Sequence, residues 1–195
     1  STQLHPPHFS AWSKTFLGWT TPTVITTSGA YALAQAETNN AYYRINQGFP
    51  ANEYLLVENR QPAGIESAIP QGGLVVFHID DNAPHNVPGY PGQAGWPTNG
   101  KHYRVAVLQA DGNYNLEKGN NRGDSGDVHR GGGGVSTLNA ITVPNTDAYQ
   151  GGTIIVTGNG ITNISASSSN MTFDVDFGDD LALGGGSSFA ASGLT

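Results

Sequence analysis

Apolar residues recur with two different periods along this chain of 195 residues, and the change of period marks its architecture. Near the start, Phe9, Trp12, Phe16 and Trp19 fall three to four residues apart, which puts their rings on one face of a short helix over Phe9–Trp19. Pro6 and Pro7 precede that segment, and Gly18 stands where a helix can stop. Beyond it the apolar runs become short and are bounded by Gly, Pro or Asn, which predicts strands at Tyr31–Ala36, Tyr42–Ile45, Tyr54–Val57, Leu74–Ile79, Val105–Leu108, Thr153–Thr157, Ile161–Ile164 and Met171–Phe177. In the last of these, Met171, Phe173, Val175 and Phe177 alternate with Thr172, Asp174 and Asp176, so one face is buried and the other is wet. The pattern predicts a mainly β protein with a short N-terminal helix, an α+β lobe whose sheets pack like a β-sandwich. Residues 1–180 form that lobe, and Gly/Ser-rich residues 181–195 read as a flexible linker or tail.

Two segments between strands are long. Asp81–Lys101 carries four prolines and four glycines, and Asn113–Gly134 is dominated by Gly, Asn and Asp. Loops of that length usually need something to organise them, an ion or a partner. Composition narrows the function classes. Charged residues make up 12% of the chain and cysteine is absent, which fits a β-rich extracellular or cell-surface protein and excludes disulfides and thiolate metal sites. Eight Lys and Arg stand against fifteen Asp and Glu, with no basic cluster to neutralise phosphates, so nucleic acid is not an expected partner. No apolar run approaches the roughly 20 residues of a membrane span. The first residue is Ser1 rather than Met, which is the expectation for a processed chain or for a piece of a longer precursor.

Two clusters of residues could hold metals. On a strand, His78 and Asp80 point to the same side, and with Asp81 nearby and His85 or His102 folding over they offer nitrogen and oxygen ligands to a divalent cation. A hydrogen-bonded histidine oriented by a carboxylate is the plainer alternative. The second cluster spans Asp111–Asp127. Asp111, Asn113 and Asn115 satisfy D-x-[DN]-x-[DN], and Asp124 and Asp127 add oxygens, a ligand set suited to calcium. Leu116 and Arg122 occupy the Gly and Glu positions of an EF-hand, so a helix–loop–helix site is excluded, and Asx turns need no metal to form. Arg122-Gly123-Asp124 spells an adhesion tripeptide in a loop where such a coincidence is common. Glu58 and Arg60 read as a structural ion pair. No Ser lies in a G-x-S-x-G turn, so no hydrolase nucleophile is selected.

Several motifs occur in a fixed order: FSAWSKTFLGW at Phe9–Trp19, EYLLVENRQ at Glu53–Gln61, GLVVFHID at Gly73–Asp80, VAVLQADG at Val105–Gly112, GDSGD at Gly123–Asp127, and GNGITNIS before NMTFDVDF. Together they make the segment Phe9–Phe177 similar to the C-terminal half of secreted zinc metallopeptidases of the immune inhibitor A type. That family's zinc is held by an H-E-x-x-H helix, which also supplies a general base. None of His5, His8, His78, His85, His102 and His129 stands in such a motif, so the resemblance carries over neither a zinc ligand nor a catalytic residue. It implies a β-rich lobe that braces a separate zinc-bearing lobe and is itself inactive. The expected partners are that missing catalytic lobe, or identical subunits, docking on the Phe9–Trp19 helix. A different reading is a free-standing structural subunit of an extracellular filament, sheath or surface layer.

Overall fold

The computed structural model describes residues 7–85, 87–98 and 102–178; the predicted tail at 181–195, Asp179, Asp180 and His5 lie outside the described residues. Among the described residues, two sheets and one short α-helix make up the fold. The larger sheet contains β1 (Thr23–Val24), β3 (Tyr43–Ile45), β4 (Glu53–Arg60), β5 (Gly73–Asp80) and β6 (Val105–Val107), side by side in that order. Only the β1–β3 pair is parallel. The smaller sheet is antiparallel, with β8 (Asn170–Phe177) between β2 (Gly29–Ala34) and β7 (Asn159–Thr162).

The central hairpin β4–β5 explains how the layers stack. Both strands are buried along nearly their whole length, as near-continuous apolar runs require. Leu55, Val57, Leu74 and Val76 face the smaller sheet, packing with Leu33, Ile161, Met171, Phe173, Val175 and Phe177. Tyr54, Leu56, Val75, Phe77 and Ile79 face the other way, toward Ala11 and Trp12 of the helix. The fold is thus a sheet covered by a second sheet on one face and by the helix on the other. The alternation expected of Met171–Phe177 is seen in β8, where the four apolar residues are buried and Thr172 and Asp176 are exposed.

The helix α1 is shorter than its aromatic spacing suggests, covering Ala11–Phe16. Ser10 caps it, its hydroxyl accepting from the backbone N–H of Ser13 at 3.2 Å. At the other end Gly18 takes a φ of +70°, with Gly18 N–H donating to the Thr15 carbonyl and Trp19 N–H to that of Lys14. This is a Schellman ending, and a side chain at position 18 would be strained there. Phe9 and Trp19 therefore lie outside the helix, yet the turn at each end folds them together, ring centroids 5.1 Å apart and edge to face. The predicted strand Thr153–Thr157 does not form. That segment makes only a single bridge, Ile155 to Ala148, and leaves Ile154, Ile155 and Val156 exposed. Its β-branched run has strand propensity but no neighbouring ladder to join.

Candidate functional site

The register of β4 and β5 brings the first candidate site together. Glu53 lies opposite Asp80 and Leu55 opposite His78, and period two puts Glu53, His78 and Asp80 on the face toward the smaller sheet. Three loops close over these strand ends. His102 Nε2 reaches Asp80 Oδ2 at 2.8 Å. Gln150 donates its side-chain amide to Asp80 Oδ1 at 2.9 Å, and the backbone N–H of Asn82 donates to the same oxygen at 2.9 Å. Glu53 accepts the backbone N–H groups of Tyr149 at 2.7 Å and Gln150 at 3.1 Å. His78 Nε2 lies 2.9 Å from Glu53 Oε1, but the approach is too oblique for a well-directed hydrogen bond. Tyr149 stacks on the His78 ring at 4.1 Å and meets Trp96 and His102 edge-on.

Burial decides what this arrangement can do. His78 is fully inaccessible, and Glu53, Asp80 and His102 are almost so. A general acid or base must come within hydrogen-bond reach of a reacting proton, and Tyr149 and Trp96 fill the space a substrate would need. Burial alone would raise the Asp80 carboxyl, but the hydrogen bonds from His102, Asn82 and Gln150 outweigh it and hold Asp80 below its ordinary range. The pairs therefore act as a polar clamp that fastens the loops at 102 and 147–152 to the ends of β4 and β5. Asp81 points elsewhere, accepting the Tyr54 hydroxyl at 3.1 Å, and the His85 ring lies against Trp12. Of the four residues expected together, the fold assembles His78 and Asp80 and leaves Asp81 and His85 apart. It adds Glu53, His102, Tyr149 and Gln150.

The Asp111–Asp127 loop spends most of its carboxylate oxygens on hydrogen bonds within itself. Asp111 accepts from the Asn113 backbone at 2.9 Å and from the Asn113 amide at 2.8 Å. The Asn115 backbone N–H donates to Gln109 Oε1 at 2.8 Å. Asp124 accepts from Gly126 N–H at 2.7 Å and Asn121 at 2.7 Å, while its own N–H donates to Asp127 Oδ2 at 2.6 Å. Asp127 Oδ1 is buried without a donor, and burial pushes the Asp127 carboxyl above its ordinary range. Among the described residues, no group of three or more His, Asp or Glu side chains is gathered in a way that would hold a metal ion. The Asp of the Arg122-Gly123-Asp124 triplet is occupied within this turn.

Sequence reasoning placed the Glu58–Arg60 pair correctly but missed its purpose. Arg60 Nε lies 2.6 Å from Glu58, and Nη1 lies 2.6 Å from Glu66. Glu58 also accepts the Ala11 N–H at 3.0 Å, and Glu66 accepts the His8 N–H at 2.7 Å. The pair thus anchors the start of α1 to the sheet. With the start of the helix fixed, the rings on it and beside it remain open: Phe9, Phe16 and Trp19 are 54%, 68% and 62% exposed. Trp12 stacks on Phe16 at 5.1 Å and is only half-buried.

No family model, no curated protein and no solved structure matches this chain. No helix among the described residues is long and apolar enough to cross a membrane.

Proposed function

We propose that this chain is the non-catalytic, β-rich half of an extracellular zinc-metallopeptidase-like protein, and that it docks through its N-terminal helix on a separate zinc-bearing lobe. The observation that carries this reading is the helix itself. Its first turn is anchored by the Ser10 cap and by the buried Glu58 carboxylate, while Phe16 and Leu17 at its far end stay exposed. Aromatic residues of this size bury roughly 150–250 Å² each when covered, and an anchored helix with open rings suits a partner surface. The motif order from Phe9 to Phe177 is what points to a zinc-bearing lobe as that partner. The residues of this chain do not fit zinc: no H-E-x-x-H is present, and the His–carboxylate pairs are sealed. Proteolysis would therefore depend on the partner lobe.

The test is recovery of the native polypeptide followed by mass spectrometry and a casein assay. The expected result is that the chain is continuous with, or bound to, a segment bearing H-E-x-x-H, and that the chain alone leaves casein intact with zinc added. Casein cleavage that survives repurification and stops with chelator would overturn the non-catalytic reading. A specific observation supports a second reading, the free-standing filament or surface-layer subunit. Ile141, Val143 and Val156 form further exposed apolar residues in a segment tied to β7, away from the helix. Two separate apolar surfaces on one subunit suit head-to-tail assembly. Recovery of the chain as a polymer of itself would favour it.

A further inference from the structure

Behind the Phe9–Trp19 ring pair lies a cavity of about 440 Å³, walled by Phe9, Trp19 and Ile65, with His8 and Asn40 adding polar groups. Its volume falls in the range of small-molecule sites, about 300–1,000 Å³. Lys14, which projects from α1, also lines this cavity and is only 5% exposed. Its ammonium has no hydrogen-bond or ion-pair partner among the described residues. The carboxylates that anchor the helix, Glu58 and Glu66, form their ion pairs with Arg60 instead. Its stem is buried against the helix and sheet while the ammonium keeps contact with the solvent of the cavity, as a snorkelling lysine does.

We propose that this cavity binds a small monocarboxylate carried on a flat apolar body, such as an arylalkanoate. The Lys14 ammonium donates to the carboxylate, and Phe9 and Trp19 enclose the body. A single point charge suits one carboxylate; phosphate groups call for several donors or a guanidinium fork. The aromatic walls also resemble a cage for a quaternary ammonium, but the unpaired Lys14 ammonium in the same cavity repels one. The Glu58–Arg60–Glu66 anchor and the Schellman turn at Gly18 hold both walls from within this chain. The inference therefore stands independently of the zinc-lobe reading.

The test titrates the full chain with 3-phenylpropionate and with its neutral amide, read by tryptophan fluorescence and calorimetry. The acid is expected to bind saturably at one site and the amide about tenfold or more weakly, the usual worth of a hydrogen bond to a charged group. Lys14→Met should abolish the difference between the two, and Trp19→Ala should weaken both alike. Equal binding of acid and amide, or no saturation up to about 10 mM, the range of a very weak site, would overturn the proposal. If Lys14→Met fails to fold by circular dichroism, the acid-to-amide ratio on the unaltered chain and on Trp19→Ala still decides. Trp19 is largely exposed, so its truncation spares the core.

Discussion

A buried imidazole ties the stability of this protein to pH. His129 is 1% exposed, sits in a backbone bridge with Leu74, and donates from Nε2 to the Leu108 carbonyl at 2.8 Å. Burial pushes its imidazole down from 6.5 to about 4, with the hydrogen bond to Leu108 opposing only weakly. As pH falls through 6.5 the unfolded chain takes up a proton that the folded chain refuses. Stability contributed by neutral His129 is therefore complete above 6.5 and lost between 6.5 and about 4. Between about pH 7 and about pH 4.5 the loss should be about 2 kcal/mol. The buried carboxyls of Glu117, Asp127 and Asp147 and the half-buried one of Glu37 are raised by desolvation and act in the opposite sense, each adding stability as it is protonated. A comparison with His129→Gln, which keeps an N–H donor, isolates the histidine. Urea denaturation should show the gap between the two proteins narrowing or inverting as the solution is acidified. Parallel pH curves would mean that His129 is not what titrates.

At the scale of elements, the Asp111–Asp127 loop tests whether a long Gly-rich segment can hold itself. Asp124 accepts two hydrogen bonds, from Gly126 N–H and the Asn121 amide, inside a partly buried turn. Asp124→Ala should cost about 1–3 kcal/mol by leaving those donors unpaired, in chelator as much as in calcium. A loss that appears only when calcium is present would mean that the loop carries the ion its oxygen density suggests. The same contrast shows what was legible beforehand. β8 could be read because burial on one face imposes period two on its residues. α1 was legible from ring spacing, though Ser10 and Gly18 close it earlier than the rings imply. The polar clamp was half legible. His78 and Asp80 share a strand, but His102, Tyr149 and Gln150 arrive from segments whose positions only tertiary closure fixes. Glu53 did leave a signal: it stands in phase with Leu55 and Val57, and a carboxylate on a buried face must find partners.

For the whole molecule, the arrangement of exposed apolar residues separates the two modes of assembly. Phe16 ends the helix that covers one face of the five-stranded sheet, and Leu17 is its C-cap. Ile141 and Val156 belong to a segment tied to β7 by the Leu138–Ile161 bridge, and so to the sheet that covers the other face. A lobe that docks on a zinc-bearing partner needs only the helix side. A subunit that polymerises head to tail needs both, because each surface must meet the complementary one on the next copy. Replacing exposed apolar residues changes folding stability little, about 0.5 kcal/mol or less, so both pairs of substitutions can be compared in folded protein. Sedimentation of the native assembly should therefore respond to Phe16→Ser with Leu17→Ser and be indifferent to Ile141→Ser with Val156→Ser. If instead the Ile141→Ser and Val156→Ser pair also returns the assembly to single chains, the lobe reading fails and the filament subunit takes its place.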